Sequence, residues 1–484
     1  VTDLQPARHS TLLNHSAYIF LIRFFPSLAM LVTTILFSRA LPEGSYGAYQ
    51  HFWVQFYVFS AVACLGIHAL VLTYPPAVPL RLLRSAPRLA LALPLWMLAT
   101  GAIFALIQYR AGFPFLMPLA FLCILSCSVV AESVLITFKH FRMLALANVL
   151  YAVLFCAAHW LMLSRGYGLN ELFGLISLIA LLRLAWYIPV IVRLYRQETA
   201  REDQPTPAPA DVRSLWIHMG IYDLSQLLFR WIDKLVIAFV VSAELFAVYY
   251  NGTIEIPFLP LILSAAGSAG LIQLASTKDA AGDRAEHARQ LLLATGRMLS
   301  CIVFPLFFFL LFFRYELFEV VLSSKYLPSV PVFLVSLLAV PVRAYGFTTV
   351  LQHYHKGRII NIGAVLDLAL ACLLMYPLYR LLGLPGVALS FVITTYLQAA
   401  FYLYHTARVL NTSAVQLLPW RNWLWKLTLS ALIFFAAHRL LNALFNQPIA
   451  LMTGAVLLAL CVPGILGMEI RAGRGNAGVT TTQR

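Results

Sequence analysis

Charge is scarce in this 484-residue chain: Asp, Glu, Lys and Arg together make up 11%. A water-soluble domain carries about 25%, so the shortage excludes an ordinary globular enzyme, whose wetted surface needs those groups. A disordered chain is excluded for the same reason. Acid is scarcer still, with 19 Asp and Glu against 34 Lys and Arg and a formal net charge of +15. The seven cysteines (Cys64, Cys123, Cys127, Cys156, Cys301, Cys372 and Cys461) all lie inside apolar runs. None sits in a CxxC or Cys/His array, which argues against a disulfide framework and a zinc site. No A-x-A-like cleavage site follows the first apolar run, so no cleavable leader is expected.

What is present is apolar: 61% of residues are hydrophobic and 13% aromatic, with a mean hydropathy of +0.83. A spanning helix needs about 20 mostly apolar residues, and by that measure the chain holds about 14 candidates. They lie at 17–38, 49–73, 88–107, 114–137, 143–163, 171–193, 215–240, 248–274, 291–313, 327–352, 360–382, 385–408, 423–441 and 448–468. The expected class is an all-α polytopic membrane protein. Its longest polar connection, 195–214, contains ETAREDQPTPAPAD, which is charged, Pro-rich and without an apolar face.

Sidedness follows from the basic residues. If the N-terminus is cytoplasmic, groups such as Arg81, Arg84 and Arg88, or Arg193, Arg196, Arg201 and Arg213, fall on that same side. Only Arg39, Arg110, Arg165, Arg314, Lys325, Arg380 and Arg439 fall opposite. The bias predicts an even number of spans with both termini cytoplasmic. It accounts for most of the net charge without invoking nucleic acid.

The chain reads as two similar halves. RALPEGSYGAY (39–49) and VVSAELFAVY (240–249) each turn through an acid, Glu43 or Glu244, and re-enter the membrane at Tyr49 or Tyr249. GLNELFGLISLIALLRLAWYIPVIVRLYR from Gly168 resembles GLPGVALSFVITTYLQAAFYLYHTARVL from Gly383. The expected organisation is an N-terminal six-helix bundle (1–194), a cytoplasmic linker (195–214) and a second six-helix bundle (215–410). A final helix pair with a cytoplasmic tail (411–484) follows. An even number of spans per half makes the repeats parallel, as in transporters that rock two bundles about a central site.

Charges within spans are the informative residues. Arg183, Arg230 and Arg343 lie near mid-span, where each costs roughly 2.5–3.5 kcal/mol against lipid. On the seventh span Asp223, Gln226, Arg230 and Lys234 recur every three or four residues and form one stripe, with Asp233 off it. Glu255 precedes Pro257 and Pro260 in the eighth span, and Arg23 precedes Pro26 in the first. Gln50, His51 and Gln55 enter the second span, while Tyr345, Thr349, Gln352 and Lys356 suggest a stripe on the tenth. Two readings stay open. In one, Asp223 and Asp233 neutralise Arg230 and Lys234, and Arg183 and Arg343 clamp onto Glu132, Glu255 or Asp367. In the other, the excess of base lines a wet, positive cavity for an anionic substrate, whose phosphates suit the planar fork of arginine.

Several stretches resemble one family. The early Arg23 followed by SRALPEGSYGAY, the run RWIDKLVIAFVVSAELFAVYYNGTIEIPFLPLI (230–262), VVLSSKYLPSV (320–330) and LLGLPGVALS (381–390) are similar in order and spacing to one branch of a known superfamily. It is the polysaccharide-flippase branch of the multidrug/oligosaccharidyl-lipid/polysaccharide exporter superfamily. The resemblance runs from about residue 15 to 410 and departs where FAVY lacks the Gly usual before the second Tyr. It implies two six-helix bundles around a cationic cavity. It also implies translocation of an undecaprenyl-diphosphate-linked oligosaccharide from the inner to the outer leaflet of a bacterial plasma membrane, for lipopolysaccharide or exopolysaccharide synthesis.

Carried over by position, Arg23, Arg230 and Lys234 match basic cavity positions, and Arg183 and Arg343 join them as substrate contacts. Asp223, Asp233, Glu255 and Asp367 are the candidates for proton or ion coupling. Membrane lipids, the polyprenyl-diphosphate-linked glycan and polysaccharide assembly proteins are the expected partners; no cofactor, metal or nucleic acid is expected. Three rivals remain. A multidrug/cation antiporter of the same superfamily should favour acidic cavity groups, and a glycan polymerase or glycosyltransferase needs a long outer loop. A lipid II flippase is a close cousin.

Overall fold

In the computed structural model, residues 5–73, 87–198, 209–254, 259–260, 262–263, 274, 281–354 and 356–480 are described. Every regular element among them is helical, and 11 segments are long and apolar enough to cross a membrane. A 22-residue helix such as Glu43–Cys64 rises about 33 Å, close to the roughly 30 Å of a hydrocarbon core. Large apolar side chains point outward along these helices: Leu91, Leu116 and Leu381 are 67%, 74% and 77% exposed. Water would penalise such a surface and acyl chains do not. The chain is an all-α polytopic membrane protein.

Two compact units divide the chain, Val1–Ala247 and Val248–Arg484. The first contains α1 (Gln5–Ala40), α2 (Glu43–Cys64), α3 (Ile67–Thr73), α4 (Pro87–Arg110), α5 (Leu116–Thr137), α6 (Phe141–Arg165), α7 (Leu169–Glu198) and α8 (Pro209–Val240). A short helix, α9 (Ala243–Gly252), begins in it and continues into the second unit. The expected second span is broken into α2 and α3, because Leu65 adopts a left-handed conformation (φ 47°) and Gly66 follows at φ 68°. Helix α1 packs on α6, α5 on α7, and α8 on both α2 and α3. Most of the expected eighth span lies outside the described residues.

The two turn segments read as repeats meet inside the first unit. A Cβ on Gly47 of α2 would stand 1.9 Å from the Ala243 carbonyl oxygen, so only glycine permits this approach. One repeat's glycine thus accommodates the backbone of the other.

The second unit contains α10 (Ala281–Phe312), α11 (Val330–Leu337), α12 (Thr349–His353), α13 (Gly357–Leu382), α14 (Leu384–Val409), α15 (Trp420–Leu444) and α16 (Gln447–Thr480). The expected tenth span is discontinuous. It ends as a helix at Leu337, makes a 3₁₀ turn over Pro341–Ala344, passes through extended Tyr345 and resumes at Thr349. Proline lacks the N–H that the helix would need and clashes with the preceding turn. Tyr345, Thr349, Gln352 and Lys356 therefore do not form one helical stripe. The freed Leu338 carbonyl accepts the Tyr396 hydroxyl at 3.0 Å, and Tyr345 donates to the Leu417 carbonyl at 2.9 Å.

The motif LLGLPGVALS is a tight helical hairpin. Gly383 turns at φ 65°, and Gly386 lies against the Leu378 carbonyl, so α13 and α14 pack closely along their lengths. The last two helices, α15 and α16, pack on α10. Lys426, with no exposed side-chain surface, joins all three: its Nζ donates to the Arg297 carbonyl at 2.6 Å and lies 2.9 Å from Glu469 Oε2.

Candidate functional site

Three of the basic residues singled out in the first unit, Arg183, Arg230 and Lys234, lie beside aromatic rings. Arg183, at the middle of α7, stands 2.8 Å from Glu132 Oε1 on α5 and donates to Asn148 Oδ1 on α6 at 2.9 Å. Its guanidinium lies 4.2 Å from the centre of the Tyr151 ring and 5.9 Å from that of Tyr187. Of the three partners offered to it by the sequence, Arg183 takes Glu132. Arg23, exposed on α1, is near enough to Glu132 to interact with it electrostatically.

Arg230 and Lys234 flank another aromatic residue. The Arg230 guanidinium is 5.6 Å and the Lys234 ammonium 5.5 Å from the Trp231 ring centre. Lys234 is buried, and its Nζ is 3.5 Å from Asp233 Oδ2, so the acid off the stripe pairs with its sequence neighbour. Trp231 stacks on Tyr57 of α2 at 5.2 Å, and Tyr57 stacks on Trp53 at 5.7 Å. Phe155 links Trp53 to Tyr151, with ring centres 6.0 and 5.9 Å apart.

One run of rings therefore connects the Arg183 group to the Arg230–Lys234 group. Sequence reading missed these rings, because Phe, Tyr and Trp are abundant throughout the chain. The four-residue spacing of Trp53 and Tyr57 was the available signal.

Beside them, Gln55 bonds His51 at 2.8 Å and accepts from Gln108, and Gln50 is fully buried. The side chain of Asp223 and the whole of Glu255 lie outside the described residues.

The second unit holds the other two candidates. Arg343 occupies the break in the tenth span and lines a cavity of about 120 Å³ with Thr253, Phe333, Ser336 and Val340. Discontinuous membrane helices commonly line transport sites, where a cavity can hydrate the released backbone. Asp367, half-buried on α13, lies against Thr394 of α14.

These features define a helical membrane protein with basic groups within its spanning segments. The model of a polysaccharide biosynthesis protein family matches residues 122–331, a stretch that contains Glu132, Asn148, Arg183, Arg230 and Lys234. Among solved structures, a lipid II flippase MurJ in an inward-closed conformation aligns with 95% of this chain and 99% of its own. Its TM-score is 0.61 and its identity 12%. A multidrug resistance MATE family transporter, inward-facing, aligns with 82% of this chain and 98% of its own, at TM-score 0.56 and 15% identity. No curated protein sequence matches the chain significantly. The chain thus shares its fold with these transporters, and its stretch 122–331 is similar to the polysaccharide biosynthesis family.

Proposed function

We propose that the chain moves an undecaprenyl-diphosphate-linked oligosaccharide from the inner to the outer leaflet of a bacterial inner membrane, feeding lipopolysaccharide or exopolysaccharide assembly. The observation that carries this reading is the charge balance in the first unit. Arg23, Arg183, Arg230 and Lys234 share a connected set of contacts in which Glu132 and Asp233 are the described acids. A surplus of fixed positive charge at span depth is costly against lipid and favourable against a diphosphate, especially where low-dielectric walls strengthen the attraction.

In this reading Arg230 and Lys234 hold the diphosphate while the polyprenyl tail stays in lipid. Arg343 supplies a cationic contact from the second unit, and two six-helix bundles (1–194 and 215–410) alternate access, with 411–484 alongside. Both termini are cytoplasmic, and polysaccharide assembly proteins receive the product. Asp223, Asp233, Glu255 and Asp367 are the groups available for proton or ion coupling. A multidrug/cation antiporter would need an acidic surplus where the described groups are basic.

The test is a leaflet-resolved assay in proteoliposomes with a fluorescent polyprenyl-diphosphate glycan. Arg230→Ala and Arg343→Ala, both at exposed side chains, should each lower translocation by about tenfold or more at equal protein level. Undiminished translocation in both variants rejects the cationic pathway.

A further inference from the structure

We infer that the end of the α10–α15–α16 contact nearest the membrane surface binds the headgroup of an anionic phospholipid of the bilayer, with Arg297 as its principal contact. The inference concerns helices outside the proposed cationic pathway and does not depend on the flippase reading.

One carboxylate serves two bases there. Glu469 Oε2 on α16 lies 2.9 Å from the buried Lys426 Nζ and accepts from Asn422 at 2.8 Å, so Lys426 neutralises it. Arg297 Nε on α10 stands 3.8 Å from Glu469 Oε1, too far for a hydrogen bond. Its side chain is 42% exposed and makes no hydrogen bond among the described residues. Two bases against one acid leave a positive charge, and the base that reaches the surface is the arginine. Arg421 and Arg471, exposed and without an ion pair among the described residues, stand at the matching ends of the spanning segments Trp420–Leu444 and Gln447–Arg471. The Asn422–Glu469 bond holds those two ends together.

Tryptophans set the depth. Trp423 Nε1 donates to the Gly296 carbonyl at 3.0 Å, which puts Arg297 level with the opening turn of α15. The Trp420 ring, 6.1 Å from that of Trp423, is 46% exposed, and Trp425 is exposed beside it. Indole rings concentrate at headgroup depth. Phe313, just past the C-terminal end of α10, meets His438 near the C-terminal end of α15, so the two helices run parallel and both open at the Arg297 end. Helical side chains lean toward the N-terminus, which carries the long Arg297 side chain outward to the headgroups. A lipid phosphate at that level meets a guanidinium fork whose donors are free, with indole surface alongside. A zwitterionic lipid brings its own cation, whereas the surplus of base here favours a headgroup of net negative charge. A lipid so held fastens the last helix pair to α10 from the surface, as Lys426 does from within.

Titration of the full chain in neutral detergent with dioleoyl-phosphatidylglycerol or dioleoyl-phosphatidylcholine, read as lipid adducts by native mass spectrometry, tests the assignment. Wild type should bind its first phosphatidylglycerol about fivefold or more tightly than phosphatidylcholine. Arg297→Gln should weaken phosphatidylglycerol binding about fivefold. Arg439→Gln removes an exposed base near the opposite end of α15 and should leave that binding unchanged. Arg421→Gln breaks no ion pair and should weaken binding in the same direction as Arg297→Gln, which keeps the test sound if the latter folds poorly. Equal affinity of wild type for the two lipids overturns the site, as do equal losses in Arg297→Gln and Arg439→Gln. Displacement of phosphatidylglycerol by an equimolar short polyprenyl phosphate would mark a substrate entrance in its place and overturn it too.

Discussion

Lys426 of α15 and Glu469 of α16 are paired at 2.9 Å with no lysine surface exposed. The same ammonium reaches the Arg297 carbonyl and Ser300 Oγ of α10, and Asn422 donates to Glu469 at 2.8 Å. Removing one member of a buried pair strands the other charge, at a cost of about 3–5 kcal/mol. Lys426→Met should therefore lower thermal stability in detergent by that amount. Replacing both partners with apolar residues should restore much of the loss, since the desolvation penalty then disappears for both. Additive losses in the double variant would show that the pair is not coupled.

Gly47 tests the contact between the two repeat segments. Its missing Cβ would sit 1.9 Å from the Ala243 carbonyl oxygen, which belongs to backbone and cannot swing aside. Gly47→Ala should destabilise by about 1–3 kcal/mol through overpacking. Gly174→Ala is the control: nothing lies within 4 Å of its Cβ position in α7, so the change should be neutral or stabilise by up to about 1 kcal/mol. Unfolding midpoints of the two variants decide the point.

The spanning helices were legible because a bilayer demands uninterrupted apolar length, a signal that survives without knowledge of packing. Interruptions were less so. The apolar run continues through Leu65 and Gly66, so hydropathy cannot register the change in backbone direction there, whereas Pro341 is itself a signal for the break in the tenth span. Glu132 was legible as one of three partners for Arg183, but choosing among them needs the helix-to-helix neighbourhood that a single sequence lacks. Lys426 and Glu469 stand near the edges of two expected spans, 423–441 and 448–468. Only the packing of α15 and α16 on α10 brings them together.

Glu244 provides a pH-dependent prediction. Its exposed carboxyl is held below the ordinary 4.5 by its own backbone N–H first and then by the Ser242 hydroxyl. A depressed folded-state value means that the stabilisation is present above 4.5 and is lost as pH falls below it. Glu244→Gln should lower the midpoint slightly at neutral pH and converge with wild type in acid, so that the decline on acidification is flatter. An identical acid limb in the variant would remove this carboxylate from the account.

Arg183→Lys separates charge from shape. Lysine keeps a positive partner for Glu132, but losing the bond to Asn148 should cost about 1.5–3 kcal/mol of stability. The lysine loses the planar group that sits 4.2 Å over Tyr151 and the fork that reaches both Glu132 and Asn148. If the group works through directional donors beside an aromatic surface, glycan translocation in proteoliposomes should fall about tenfold despite the conserved charge. Full translocation by Arg183→Lys would mean that this position contributes charge alone.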